Sequence, residues 1–120
     1  MTENEDLRIE NYFYEFYDMV KKNNMIHRII PIRGDSLYTV GIHDNNSIDL
    51  AFIDGDHSYE GCLGDLRNVL PKMKNNGNIL AHDCIPDSEC LKAVQDFTKE
   101  NGLTYKIIPT TWGMAHIKLQ

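Results

Sequence analysis

The sequence lacks the features that would point to nucleic acid or to a membrane. It has 12 basic against 18 acidic side chains and a net charge of -6, so it offers no basic excess for phosphate backbones or anionic lipids. No apolar run approaches the roughly 20 residues that span a bilayer. The first residues, Met-Thr-Glu-Asn-Glu-Asp, are neither basic nor apolar, as a secretory signal would be. We therefore expect a soluble, cytoplasmic protein that binds neither nucleic acid nor membranes.

Cysteine is also scarce. The three cysteines, Cys62, Cys84 and Cys90, are odd in number and lack the paired spacing of a zinc ribbon, so we expect reduced thiols. Cys62 falls on the same helical face as Leu66 and Val69, a position typical of a small buried hydrophobic residue.

The most informative stretch is residues 48–61, Ile-Asp-Leu-Ala-Phe-Ile-Asp-Gly-Asp-His-Ser-Tyr-Glu-Gly. Residues 48–53 form a nearly continuous apolar run, which is typical of a strand covered on both faces in a parallel sheet. Polar residues follow at once, namely Asp54, Asp56 and His57, in a segment that can also cap a following helix. Because ligands in open α/β sheets bind outside the carboxyl ends of the strands, these residues form a candidate functional site.

A length of 120 residues with 42% hydrophobic content fits one domain with one core. Alternating helix and strand patterns predict an α/β fold with a mostly parallel sheet, and the short link between the last two strands predicts an antiparallel hairpin. Trp112, beside Gly113 in that link, either borders a pocket or packs against the core. The predicted helices are residues 7–24, 36–40, 59–75 and a segment between Ser88 and Asn101; the predicted strands are residues 28–33, 48–53, 78–81, 105–108 and 114–119.

Two successive predicted strands carry acidic residues at their carboxyl ends, Asp54 after one and Asp83 after the next. If the strands are neighbours, their ends lie roughly 5 Å apart, close enough for both carboxylates to share one cation. Oxygen ligands suit Mg²⁺, Ca²⁺ or Mn²⁺, and His57 or His82 could add a ligand or act as a general base for a hydroxyl. The alternative is ordinary turn and helix-capping chemistry, a common role of Asp and Gly after a strand.

Several segments together resemble class I S-adenosylmethionine-dependent methyltransferases. They are residues 48–61, then Asp65-Leu66, Leu70-Pro71, Asn76-Gly77-Asn78-Ile79 and His82-Asp83, with Arg33-Gly34-Asp35-Ser36 upstream. The chain is most similar to the branch of small-molecule O-methyltransferases that includes macrocin-type sugar enzymes. The resemblance runs from about residue 9 to near the end of the chain. It implies a Rossmann-like methyltransferase sheet.

The resemblance also implies a function and a site. The function is transfer of a methyl group from S-adenosylmethionine to a hydroxyl of a small-molecule acceptor, assisted by a divalent cation that we expect to be Mg²⁺. Asp54 and Asp83 match the metal-binding acids of the metal-dependent branch, and His57 matches its base. His82 stands where that branch can have another acidic ligand, which makes it a further candidate metal ligand.

The cofactor site implied by the resemblance is incomplete in this sequence. Asp35 and Ser36 match residues on the adenine side of the cofactor. The family's Gly-rich loop after its first strand and the acid that ends its second strand have no counterpart, and no Gly-x-Gly sequence occurs. We therefore expect residues 1–120 to form a single, partial methyltransferase-like domain, truncated at the N-terminus and equivalent to the C-terminal two thirds of the family's fold.

This truncation has a consequence for the sheet. The family's strand order is three, two, one, four, five, seven, six, so the strand at residues 48–53 would lose its neighbour. An exposed apolar strand edge is a template for pairing. We expect residues 28–33 to pair directly with residues 48–53, or the edge to join a second copy or a partner that supplies the missing N-terminal strands.

Two functions stay open from the sequence. One is a methyltransferase; the other is a non-catalytic, truncated or split methyltransferase domain that acts as a subunit or interaction module, which the missing Gly-rich loop favours for the isolated chain. A phosphorylation receiver domain fits the length and the acid after a strand. Such a domain begins with a strand that carries paired acids, whereas this chain begins with a helix.

Overall fold

The computed structural model describes residues 3–120, with side chains from Asn11 onward. The chain divides into two compact units, Met1–Asp35 and Ser36–Gln120, and each is described by itself. Within the described part of the chain, no helix combines the length and the apolar character needed to cross a bilayer. The elements are α1 Glu3–Lys22, α2 Ser36–Thr39, β1 Ile48–Ile53, α3 Tyr59–Val69, β2 Met73–His82, α4 Glu89–Glu100, β3 Tyr105–Ile108 and β4 Met114–Lys118.

The first unit is built around α1, a helix of 20 residues that ends with Lys21 and Lys22 in its last turn. Basic side chains there complement the partial negative charge of the helix C-terminus. Phe13 and Tyr17, one turn apart, stack with ring centroids 6.5 Å apart, and the Arg33 guanidinium lies 5.8 Å from the Phe13 ring centroid. Phe13 and Tyr17 therefore make aromatic contacts within the unit.

Residues 28–33 do not form the predicted strand. Their backbone is turn and irregular structure, and the amides of Arg28 and Ile29 both donate to the carbonyl of Met25, at 2.9 and 2.8 Å. The residue types are typical of a strand, but the backbone of a strand must hydrogen-bond to a neighbouring strand. Pro31 has no amide hydrogen and so cannot donate one of these bonds. The predicted pairing of residues 28–33 with residues 48–53 is therefore wrong for this structure.

The second unit contains a four-stranded sheet in the order β1-β2-β4-β3. β1 and β2 are parallel, while β2 with β4 and β4 with β3 are antiparallel, so β1, β2 and β3 run in one direction and only β4 opposes them. The predicted α/β fold, with a mostly parallel sheet and an antiparallel C-terminal hairpin, is confirmed.

The helix predicted over residues 59–75 ends six residues early. α3 stops at Val69, and one turn of 3₁₀ helix, Leu70–Lys72, with Pro71 inside it, leads straight into β2. The Asn-Asn-Gly sequence at residues 75–77, where the predicted helix was expected to stop, lies inside this strand. The register of β1 against β2 jumps there, from the pair Ile48–Met73 to the pair Leu50–Asn78. The turn-forming sequence thus makes a bulge rather than a reversal of the chain.

The core lies between the sheet and the helices α3 and α4. Its largest fully buried side chains are Phe97, Leu66, Ile79, Ile117, Val94 and Cys84. All three cysteines are free and buried, and for Cys62 the sequence predicted this burial. Burial raises the pKa of Cys62 to about 12 and that of Cys84 to about 11. Because the thiolate is the reactive form, these cysteines serve as small hydrophobic residues.

β1 is the edge strand of the sheet and is covered on one face only. Ala51 and Ile53 pack toward the core, whereas Leu50 is 57% and Phe52 52% exposed. The prediction of a strand covered on both faces is wrong, because the described residues pack α3 and α4 on a single side of the sheet.

Candidate active site

The carboxyl ends of β1 and β2 bring the candidate residues together. The two strands are parallel and paired in register from Leu50–Asn78 to Ile53–Ala81. Asp54 therefore follows β1 at the same edge of the sheet where His82 ends β2 and Asp83 follows it. The sequence predicted this juxtaposition on the condition that the two strands are neighbours, and the pairing of β1 with β2 meets that condition.

Two carboxylates and two imidazoles meet at this edge. His57 Nε2 lies 2.8 Å from Asp83 Oδ2, and His82 Nδ1 lies 3.3 Å from Asp54 Oδ1 and 3.2 Å from Asp83 Oδ2. His82 Nδ1 is buried and makes no hydrogen bond of acceptable geometry to a described residue, despite these short distances. Ligand atoms of Asp54, His57 and Asp83 all lie within 4.8 Å of one another, a spacing that could hold one metal ion.

Asp83 has an unusual backbone. Its φ is +61°, in the left-handed region that few residues other than glycine adopt without strain, although Asp is among the more tolerant. The next residue is locked in place, because the Cys84 amide donates to the carbonyl of Gly113 at 3.1 Å. Gly113 also has a positive φ, +73°, and a Cβ there would lie 2.5 Å from the Cys84 carbonyl oxygen. The loop between β3 and β4 thus fixes the segment that carries Asp83.

The segment between Asp54 and α3 is held by capping interactions. Asp56 Oδ1 accepts from the Ser58 amide at 2.8 Å, a hydrogen bond that lowers the pKa of the Asp56 carboxyl. Ser58 Oγ in turn accepts from the Gly61 amide at 3.0 Å and so caps α3. Of the two acids after β1, Asp56 therefore serves in the turn before α3, which is the structural alternative that the sequence left open for these acids. The Cys90 thiol donates to the His57 carbonyl, with the sulfur 3.4 Å from that oxygen, which ties the His57 backbone to the first turn of α4.

A cavity of about 510 Å³ opens over the cluster. Trp112 lines it and is 59% exposed, so of its two predicted roles the structure supports the border of a pocket. The sequence did not identify Ile85, Ser88 and Cys90, which come from the segment that leads into α4 and from the first turn of that helix. That segment follows Asp83 at the same edge of the sheet. Its place at the carboxyl end of β2 is the signal that could have identified these residues. The lining residues are Asp54, His57, His82, Asp83, Ile85, Ser88, Cys90 and Trp112.

A second cavity, of about 310 Å³, also has Asp54 in its lining. Ser36 lines it, and its hydroxyl donates to Asp65 Oδ1 at 2.6 Å. Asn68 also lines it, and the buried Asn68 Nδ2 has no hydrogen-bond partner among the described residues. Asp35, the other residue predicted on the adenine side of a cofactor, belongs to the first compact unit. Sequence reasoning missed Asn68, because nothing distinguishes a helical Asn that faces a cavity from one that faces solvent.

The fold and the site define an α/β protein that presents acids and histidines at the carboxyl ends of neighbouring parallel strands. A sequence model of the family described as a methyltransferase domain matches residues 4–84, more than half of the chain. The chain therefore belongs to this methyltransferase-domain family. No curated protein sequence matches it.

Solved structures with the same fold include methyltransferases. A candidate O-methyltransferase from Klebsiella pneumoniae is 19% identical with a TM-score of 0.68, over 87% of this chain and 55% of that one. The SAH-bound Podospora anserina methyltransferase PaMTH1 is 19% identical with a TM-score of 0.66, over 87% and 54%. A protein from Corynebacterium glutamicum is 17% identical with a TM-score of 0.57, over 73% and 46%. The chain thus spans about half the length of these structures.

The capping segment that leads to α3 can be tested at Gly61. A Cβ at this position would lie 2.5 Å from Cγ and 2.6 Å from Cβ of Asp56. We expect Gly61→Ala to destabilise the protein by about 1–2 kcal/mol, because the overlap involves atoms close to the backbone. Urea unfolding followed by circular dichroism measures the change.

Gly64 provides the matched control, since it lies in the same helix and a Cβ there has no neighbour within 4 Å. Gly64→Ala should stabilise by up to about 1 kcal/mol through helix propensity alone. In an Asp56→Gly background the penalty of Gly61→Ala should vanish. If Gly61→Ala lowers the free energy of unfolding equally with and without the Asp56 side chain, the close contact with Asp56 is not the cause of the destabilisation.

Proposed function

We propose that this chain carries the catalytic site of an S-adenosylmethionine-dependent methyltransferase that acts on a hydroxyl of a small molecule with the help of a divalent cation. The observation that carries the proposal is the convergence of Asp54, His57 and Asp83 in a cavity at the ends of paired parallel strands, with a second cavity that Asp54 also lines. Membership of the methyltransferase-domain family and the fold shared with an SAH-bound methyltransferase support it.

In this proposal the smaller cavity receives the adenine side of the methyl donor. Its 310 Å³ is at the lower end of the roughly 300–1,000 Å³ typical of ligand pockets. The residues present fit such a ligand, because a buried donor such as Asn68 Nδ2 normally has a partner and here has none within the described chain. Ser36 can still accept a hydrogen bond while its proton goes to Asp65. Ser36, which lines this cavity, is the residue that we assign to the adenine side, and the role of Asp35 there stays a prediction from the resemblance.

Asp54 and Asp83 would hold the cation. Their carboxylate oxygens are the hard ligands that Mg²⁺ prefers, and their spacing with His57 fits one ion. A bound divalent cation lowers the pKa of a coordinated hydroxyl and neutralises charge that develops on its oxygen. His82 Nδ1, close to both carboxylates, would orient them or serve as a further ligand.

His57 would accept the proton of the acceptor hydroxyl. With Nε2–H donating to Asp83, Nδ1 is left with the lone pair, and the side chain is 68% exposed toward an incoming molecule. His57 would hold the proton that leaves the acceptor hydroxyl, while a bound methyl donor would supply the methyl group to the hydroxyl oxygen and leave as the neutral thioether. Asp83 stabilises the imidazolium that results.

Titration calorimetry with S-adenosylmethionine and S-adenosylhomocysteine, with and without Mg²⁺, tests the donor site. We expect saturable binding in the micromolar range that weakens up to about tenfold in Ser36→Ala, the size of one lost hydrogen bond. Ser47→Ala is the control, because its hydroxyl donates locally to the Asp44 carbonyl. No heat at millimolar ligand would contradict an active chain and favour the non-catalytic alternative.

The cation site can be tested with Mn²⁺ as the probe, followed by electron paramagnetic resonance. Asp54→Asn and Asp83→Asn should each weaken Mn²⁺ binding by at least about tenfold, because each removes a charged oxygen ligand. Asp56→Asn is a matched control two residues from Asp54, since Asp56 accepts from the Ser58 amide instead. Equal losses in all three variants would indicate a general electrostatic effect rather than a defined site.

A second candidate function rests on the exposed edge of β1. Leu50 and Phe52 expose apolar surface on an edge strand, whose outer backbone groups pair with no strand among the described residues. Natural proteins usually cover or charge such an edge, because it can pair with another chain. We propose that two copies of the chain pair along this edge, either to complete an enzyme or as a non-catalytic subunit.

Analytical ultracentrifugation over a range of concentrations tests this pairing. We expect the wild-type chain to associate and Leu50→Lys to sediment as a monomer, because lysine on an edge strand opposes pairing. Ile42→Lys, an exposed apolar position in the same unit but outside the sheet, should leave association unchanged. A wild-type chain that stays monomeric at every concentration would rule out pairing between copies.

A further inference from the structure

Residues 28–33, Arg-Ile-Ile-Pro-Ile-Arg, have the composition of a strand but pair with no strand among the described residues. Ile30 is 77% and Ile32 40% exposed, and neither makes a backbone hydrogen bond to another residue in the described part of the chain. Backbone groups and apolar side chains are thus both open in this segment. Such a segment can add as a strand to the edge of a sheet.

The sheet has two edges, β1 and β3. β3 has four residues, contains Lys106 and is followed by Pro109, and natural proteins use these features to block pairing at an edge. β1 has six residues, contains neither lysine nor proline, and exposes Leu50 and Phe52. The edge that is open to an added strand is therefore β1.

The segment and the edge carry opposite charges at the same spacing. Arg28 and Arg33 enclose four residues, and so do Asp49 and Asp54. When the two stretches are aligned end to end, an arginine lies opposite an aspartate at each end. Because opposite charges on directly opposed residues stabilise paired strands, this spacing favours one register.

The exposed side chains favour an antiparallel direction. In that register Ile30 lies opposite Phe52, and Ile32 lies opposite Leu50. Directly opposed residues point to the same face, so these four side chains would cover one another on the open face of the sheet. A parallel alignment would instead turn both isoleucines toward the core face of β1, which the helices already cover.

Pro31 would limit the assembly. Alternate residues of a strand direct their backbone groups to opposite edges, so Pro31 lies on the outer side when Ile30 and Ile32 donate toward β1. A proline at the new outer edge removes a donor there and opposes the addition of a further strand. Because each copy has one such segment and one such edge, two copies that exchange their segments form a closed dimer.

We infer that residues 28–33 of one copy add as an antiparallel strand to β1 of a second copy. This exchange rests on the pairing of two copies proposed above as the second candidate function, and it identifies the segment that covers the edge. It joins two chains, unlike the pairing within one chain that the described sheet does not contain.

Disulfide cross-linking between two variants tests the register. A chain with Arg33→Cys, made heavier by a tag, is mixed with a chain with Asp49→Cys and oxidised in air with copper phenanthroline. We expect a mixed dimer on a non-reducing gel, because residues 33 and 49 would form a non-hydrogen-bonded pair with Cα atoms about 4.5 Å apart, within reach of a disulfide. The wild-type chain gives the background, since its own three cysteines are buried.

Arg28→Cys is the matched control, because Arg28 ends the same segment and meets Asp49 only in a parallel alignment. Mixed with Asp49→Cys, it should give at most about a tenth of the mixed dimer, since the two residues lie at opposite ends of the antiparallel pair. Asp49 lies outside the candidate active site, so neither mixture alters that site. A stronger product with Arg28→Cys would overturn the antiparallel register.

Analytical ultracentrifugation of Ile30→Lys tests the apolar contact. We expect association to weaken about tenfold, because the change removes an apolar contact and places a charge opposite Phe52. Ile26→Lys, at another exposed isoleucine of the same compact unit but outside the segment, should associate like the wild-type chain. Both positions are exposed, so the variants should fold normally, which circular dichroism checks.

The outcomes separate this exchange from the pairing on which it rests. If Leu50→Lys abolishes association while Ile30→Lys does not weaken it and no mixed disulfide forms, the exchanged segment is overturned and pairing of two copies at β1 stands. A wild-type chain that stays monomeric and gives no mixed disulfide in either variant mixture overturns both.

Discussion

The parallel pairing of β1 with β2 is the constraint on which the site depends. Strands in a sheet lie about 5 Å apart, so two parallel neighbours that end at the same level bring the residues after them within reach of one another. The register that pairs Ile53 with Ala81 sets that level. A slip of one residue would turn every side chain of β1 to the opposite face and move Asp54 away from His82 and Asp83.

The site combines like charges that repel one another with a backbone conformation that is strained. Two carboxylates share a small space, since one oxygen of Asp54 and one of Asp83 lie within 4.8 Å of each other, and like charges repel. Asp83 adds a left-handed backbone, which costs on the order of 1 kcal/mol. The hydrogen bond between Cys84 and Gly113 and the buried strands beneath keep this arrangement in place. Proteins retain strained or mutually repelling groups mainly at functional sites, where a bound ligand can offset the cost in free energy. This cluster is therefore a better candidate for a functional site than an ordinary turn would be.

The sequence predicted β1 to the residue, because an apolar run bounded by an Asn-Ser turn and an Asp-Gly pair has few alternatives. It also predicted the C-terminal hairpin and the meeting of Asp54 with Asp83. It failed for residues 28–33, where strand-type residues have no partner strand, and at Asn75-Asn76-Gly77, where pairing with β1 overrides turn chemistry. Periodicity could not reveal that β1 has an open face, since Leu50 and Phe52 make the apolar run continuous although both side chains are exposed.

The open edge of β1 and the smaller cavity are connected through Phe52, whose side chain lines that cavity from the edge strand. A strand that pairs with β1 would add backbone beside Phe52 and enclose Ser36 and Asn68 further. Ligand binding at this cavity and association at this edge would then favour each other, because each would stabilise the same arrangement of β1. A role as an enzyme and a role as a subunit of an assembly are therefore compatible for this chain. If this cavity receives the methyl donor, as proposed, covering the edge would enclose it further, so the measured affinity for the methyl donor would rise with protein concentration.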